Sequence, residues 1–131
     1  MKISRKAAVA AVLAVFGLEA APAFADAKDY EFQLVQSDAK KGDATIAVRL
    51  LNKKTGKTVP DAVIIAKRID MAPDGMAEMA TKIEQVSSTE PGVYRFKANL
   101  SMQGRWRLSL GAKVQGETGS VESKLVVKAV P

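Results

Sequence analysis

From Tyr30 onward, apolar and polar residues alternate along most of this chain. "YEFQLVQ" places Tyr30, Phe32 and Leu34 on one face, and "ATIAVRLL" does the same with Ile46, Val48 and Leu50, leaving Arg49 opposite. "VYRFKANL" sets Tyr94, Phe96, Ala98 and Leu100 against Arg95, Lys97 and Asn99. "RWRLSLGAKV" sets Trp106, Leu108, Leu110 and Ala112 against Arg105, Arg107, Ser109 and Lys113. "SVESKLVVKA" closes the series with Val121, Ser123, Leu125, Val127 and Ala129. A repeat of two marks strands with one face on a core and the other in water. "DAVIIAKRI" is a more continuous apolar run, and "TKIEQVS" is a weak, short strand. Gly56 and Pro60, Pro91-Gly92, Gly104, and Gly116 with Gly119 punctuate these segments with turn chemistry. Seven strands so closely spaced predict an all-β, immunoglobulin-like antiparallel sandwich. A five-stranded OB barrel is the alternative.

The first 25 residues follow a different pattern. Lys2, Arg5 and Lys6 give a positive start, residues 7–18 are apolar, and Ala23-Phe24-Ala25 is a small-x-small end before Asp26. That is the layout of a cleaved signal peptide over residues 1–25. The apolar run is too short to span a membrane, which takes about 20 residues. Residues 26–131 then form one β-sandwich domain, expected in the periplasm. Its charge is +4, from 20 − 3 = 17 basic and 14 − 1 = 13 acidic residues.

Those basic residues are scattered, most of them alternating with apolar ones, as on a solvated surface. Nucleic-acid binding asks for a concentrated patch with aromatic platforms. Cysteine and histidine are both absent. That removes Ser-His-Asp and Cys-His catalysis and the usual nitrogen and sulfur zinc sites. The acidic residues sit singly on turns and strand exteriors, so a paired-carboxylate hydrolase is not indicated either. The chain reads as a binding protein, not an enzyme.

Chemistry is left to methionine. Apart from Met1, the methionines are Met71, Met76, Met79 and Met102, three of them around Pro73-Asp74-Gly75 in "RIDMAPDGMAEM". If consecutive strands run in opposite directions, residues 37–43, 71–79 and 101–104 share one end of the sandwich, so all four methionines gather there. Thioether sulfur is a soft neutral ligand, suited to Cu(I) or Ag(I) and poor for Zn, Mg or Ca. Met76 and Met79 are three apart, and one helical turn after Gly75 would put both sulfurs on one face. Asp70, Asp74 and Glu78 would add negative charge around a cation. Packing is the other reading, since methionine often fills the end of a core. Met102 shares parity with Trp106 and Leu108, which points it inward. Trp106 belongs in the core, with a cation–π cover over the ion as its other possible use. A methionine surface that greets a partner protein is the remaining possibility.

"AKRIDMAPDGMAEM" and "PGVYRFKANLSMQGRWRLSLGAKVQGETGSVESKLVV" resemble the YtkA-like group of FixH-related periplasmic domains, from about Ala44 onward. Met71, Met76, Met79 and the stretch Leu100-Ser101-Met102-Gln103-Gly104-Arg105-Trp106 match that group's pattern. The resemblance implies handling of copper or another heavy metal beside a membrane efflux or copper-enzyme assembly system. It implies Met71, Met76, Met79 and Met102 as the metal ligands. FixH proper is membrane-anchored, whereas a cleavable leader favours a free periplasmic carrier or efflux accessory. The rival expectation is a non-enzymatic interaction module that docks through the same methionine-rich loop.

Overall fold

The structure, a computed structural model, describes residues 27–131. The signal peptide expected over residues 1–25 and its cut before Asp26 lie outside the described residues. Ten strands follow in order. They are β1 (Tyr30–Leu34), β2 (Asp38–Lys40), β3 (Gly42–Asn52), β4 (Lys57–Thr58), β5 (Val63–Met71), β6 (Met76–Thr81), β7 (Ile83–Val86), β8 (Val93–Leu100), β9 (Gly104–Lys113) and β10 (Val121–Val130). One sheet runs β1-β3-β8-β7 with β4 paired to β3, and the other runs β2-β10-β9-β5-β6. All pairings are antiparallel except β2 on β10. These are the two strand orders of an immunoglobulin-like sandwich, ABED facing GFC, with β2 and β6 added at the two edges of the GFC sheet. Two separate sheets exclude the closed OB barrel.

The alternation read from the sequence decides what lies between the sheets. Phe32, Val48, Leu50, Phe96, Leu100, Trp106, Leu108 and Val127 are buried. Their polar neighbours Arg49, Lys97 and Lys128 are partly or fully exposed. Filling the interior with large side chains from both inner faces is the main stabilising term in a chain without disulfides. Phe32 and Tyr94 meet edge-on at 6.4 Å between centroids, the geometry ring quadrupoles prefer. Tyr94 also pins the β4–β5 connection to the core. Its hydroxyl donates to the Val59 carbonyl at 2.5 Å and accepts from the Ala62 N–H at 3.0 Å. Burial pushes that phenol above its ordinary pKa.

Three short strands, β2, β4 and β6, add to the seven expected. β6 corrects an expectation. Residues 76–81 form a strand, not a helical turn after Gly75. A turn of 3-10 helix comes just before it, at Ala72–Asp74, and Gly75 closes that turn with a left-handed φ of 78°. Only a residue without Cβ adopts that conformation readily.

Candidate metal-binding end

Antiparallel pairing carries the methionine-bearing segments to one end of the sandwich. Gly42 at the start of β3 pairs with Leu100 at the end of β8. Arg107 near the start of β9 pairs with Asp70 near the end of β5. The β8–β9 turn, residues 101–103, therefore lies beside the β5–β6 turn. Gly104 marks how close they come. A Cβ at that position, where φ is 140°, would sit 2.5 Å from Asp74 Oδ2 and 2.8 Å from Met71 Cε.

Two carboxylates lock this junction. Asp74 Oδ2 accepts the Arg105 backbone N–H at 2.8 Å, and its Oδ1 accepts Arg105 Nε–H at 2.8 Å. Arg105 Nη2 also donates to the Pro73 carbonyl at 2.7 Å. Hydrogen bonds from the Arg105 N–H and guanidinium hold the Asp74 carboxyl below its ordinary pKa. Asp70 is completely buried. Its Oδ2 accepts from Arg68 Nε at 2.8 Å and from Arg107 Nη2 at 3.1 Å, and its Oδ1 accepts the Ala72 N–H at 3.0 Å. Burial alone would raise the Asp70 pKa. The Ala72 N–H, Arg107 and Arg68 outweigh it and keep the carboxyl ionised and low. Arg107 Nε is buried without a hydrogen-bond partner, so Asp70 is the main compensation for that guanidinium. Asp70 and Asp74 thus have their charge answered by arginine, which corrects the expectation that they would add negative potential around a cation. Of that acidic trio, Glu78 alone is exposed.

The four methionines fall into two environments. Met71 is fully buried in the core, and Met76, its Cα partner across the β5–β6 pair, packs against that core while half-buried. Directly paired side chains on one face have Cβ atoms about 5 Å apart, within reach of two thioethers. Met79 and Met102 are exposed at 36% and 39%. Between the Met71–Met76 and Asp70–Ala80 pairs, residues 77–79 have no Cα partner on β5 and form a bulge. Met79 sits in that bulge instead of above Met76 on a helix. Met102 does not point inward with Trp106, since it lies in the turn, where strand parity has stopped. Its carbonyl accepts Trp106 Nε1–H at 3.0 Å, and Trp106 itself is buried in the core.

This donor set is soft. Among the described residues no three carboxylates gather in a way that holds a metal ion, and the chain has neither histidine nor cysteine. Sequence reasoning missed the Asp70 clamp and the Asp74–Arg105 lock. Only the spacing Arg68-x-Asp70 hinted at the first, because residues two apart on a strand share a face.

A protein-family model described as YtkA-like matches residues 24–111. Two solved structures are similar in outline. The crystal structure of the Lin-41 filamin domain is 17% identical, covering 76% of this chain and 91% of that one, with a TM-score of 0.45. The ZirS C-terminal domain is 11% identical, covering 98% of this chain and 88% of that one, with a TM-score of 0.47. The comparison with curated proteins gives no match.

Proposed function

This chain belongs to the YtkA-like family, and we propose that it binds one soft monovalent ion, Cu(I) or Ag(I), in the periplasm and passes it to a membrane efflux or copper-enzyme assembly protein. The observation that carries this reading is the cross-strand pair of Met71 and Met76, set beside the turn that bears Met102. Two thioethers on adjacent strands form the nucleus of a site. Apolar surroundings keep water from competing, and the neutral sulfurs need lose no proton to bind. In this reading Met79 and Met102, both exposed, receive the ion from the nucleus or surrender it to a partner.

Titrating the protein against a Cu(I) chelator tests the proposal. About one equivalent of Cu(I) should transfer, with no comparable Zn(II) binding. Replacing Met71 and Met76 together by Leu keeps apolar volume, so each swap should cost less than about 1.5 kcal/mol. Cu(I) affinity should nevertheless collapse. Unchanged affinity in the folded double variant removes the methionine site. The exposure of Met79 and Met102 also favours a second reading, in which this end docks a partner without metal. In that case partner binding survives metal chelation and the Leu substitutions.

A further inference from the structure

The outer face of the second sheet carries a feature unrelated to methionine. A trough of about 600 Å³ runs over β5, β9 and β10. Pairing across the three strands builds it in two rows. Arg68, Ser109 and Lys124 form one, and Ala66, Gly111 and Glu122 form the other. The central strand supplies a floor with almost no side chain, while the outer strands supply the walls. Gly111 carries no side chain there, and a Cβ would come 3.3 Å from Ala66 Cβ and 3.8 Å from Ile65 Cγ1. Its volume lies within the roughly 300–1,000 Å³ typical of ligand sites.

We propose that this trough binds an acidic, extended segment of a partner polypeptide, with one carboxylate held between Arg68 and Lys124 above Ser109. Neighbouring strands lie about 4.8 Å apart, so the Arg68 and Lys124 backbones stand about 10 Å apart, room for a carboxylate between their cations. Arg68 is preorganised. Its Nε is bound to Asp70 and its Nη2 to the Ala77 carbonyl, while its side chain stays 55% exposed. Two of the five guanidinium N–H donors are thereby engaged and three remain for a ligand. Lys124 forms no ion pair among the described residues.

Charge identifies the occupant. Across β5, β9 and β10 the register puts Arg68, Arg107, Lys113, Lys124 and Lys128 on this face against Asp70 and Glu122, with Asp38 of edge strand β2 opposite Lys128. Asp70 is already shared by two arginines, so the surplus is cationic. A second copy would set this surplus against itself. A polypeptide with a carboxylate at one position matches the first row. Two residues on, about 6.8 Å along an extended chain, it meets Ala66 and Gly111, beside exposed Ile65 and Val63. Glu122 repels a second carboxylate there, so an apolar side chain is selected and the register is set.

Amide shifts of the 15N-labelled protein, free of metal, provide the test. The probe is the blocked peptide acetyl-Ser-Glu-Ser-Val-Ser-amide, with versions carrying Gln or Lys in place of Glu. The Glu peptide should perturb residues 66–68, 109–111 and 122–124, and the Gln peptide should bind about tenfold more weakly. Lys124→Glu, at an exposed position, should leave the remaining spectrum unchanged and reverse the preference toward the Lys peptide. Equal binding of Glu and Gln peptides overturns the proposal, as do shifts confined to other residues. Inorganic phosphate reproducing the same shifts at equal affinity overturns it in favour of a small-anion site. A dimer that buries this face, seen by sedimentation, overturns it as well.

Discussion

Replacing Asp70 by Asn removes one negative charge and little else in volume, which makes it a sharp probe of how the methionine-bearing end is held. In the native protein the buried carboxylate answers Arg68 at 2.8 Å and Arg107 at 3.1 Å and caps the Ala72 N–H at 3.0 Å. Breaking a buried ion pair by removing one partner costs roughly 3–5 kcal/mol when the other charge is stranded. Here the stranding is partial, because the Arg68 and Arg107 side chains are 55% and 32% exposed and reach water. Arg107 Nε, buried and unpartnered, does not. The Asn side chain retains an oxygen for Ala72. We therefore expect Asp70→Asn to destabilise the fold by about 2–3 kcal/mol, and Asp70→Ala by about 1 kcal/mol more for the lost cap. Urea unfolding should show the midpoint fall with the slope m unchanged, the sign of lost stability without a change in compactness. A loss below about 0.5 kcal/mol, the range of ordinary surface substitutions, refutes the argument that Asp70 compensates buried guanidinium charge.

Gly104→Ala should destabilise by about 1–3 kcal/mol, from the positive φ alone, and should weaken Cu(I) binding, because its Cβ enters the space of Asp74 and Met71; wild-type Tm and affinity would contradict the close packing of the two turns. Tyr94→Phe strands the Val59 carbonyl and Ala62 N–H, so urea unfolding should register a loss of about 1–3 kcal/mol. At high pH, the hydrogen bond from Tyr30 to Glu117 raises that phenol to about 12, with burial adding to it. A raised folded pKa means its stability is complete below the unfolded value of about 10 and is lost as pH climbs toward 12. Tyr30→Phe should flatten that alkaline limb, and an unaltered limb counts against the assignment. The lowered pKa of Asp70 and of Asp74 works in the opposite direction: their contribution is present above the ordinary carboxylate range and is lost as pH falls below about 4. Urea midpoints measured from pH 6 to 2 should show that decline diminished in Asp70→Asn.

The long strands were legible because one face of each packs on a core, and burial writes a repeat of two into the sequence. The shared end of the methionine segments was legible for a simpler reason, since it depends only on the seven strands read from the sequence alternating in direction. The short strands were not. β2 and β4 span three and two residues and exist because partners are there to pair with. β6 misled in a specific way. Met, Ala and Glu are good helix formers, and methionines three apart suit a helical face. Pairing with β5 overrode that propensity and absorbed the spacing in a bulge. Parity failed at Met102 because the turn before Gly104, at φ 140°, interrupts the alternation counted back from Trp106. The Asp70 clamp was hidden because Arg107 is 37 residues away in sequence and is brought opposite by register alone.

X-ray absorption at the copper edge, on protein loaded with one equivalent of Cu(I), tests the central claim most directly. The account predicts a first shell made of sulfur alone, which in a chain without cysteine must be methionine thioether, with that signal lost in the Met71→Leu, Met76→Leu double variant while the β-sheet spectrum persists. A first shell of oxygen or nitrogen, or an unchanged sulfur shell in the double variant, would contradict a site built on the Met71–Met76 pair.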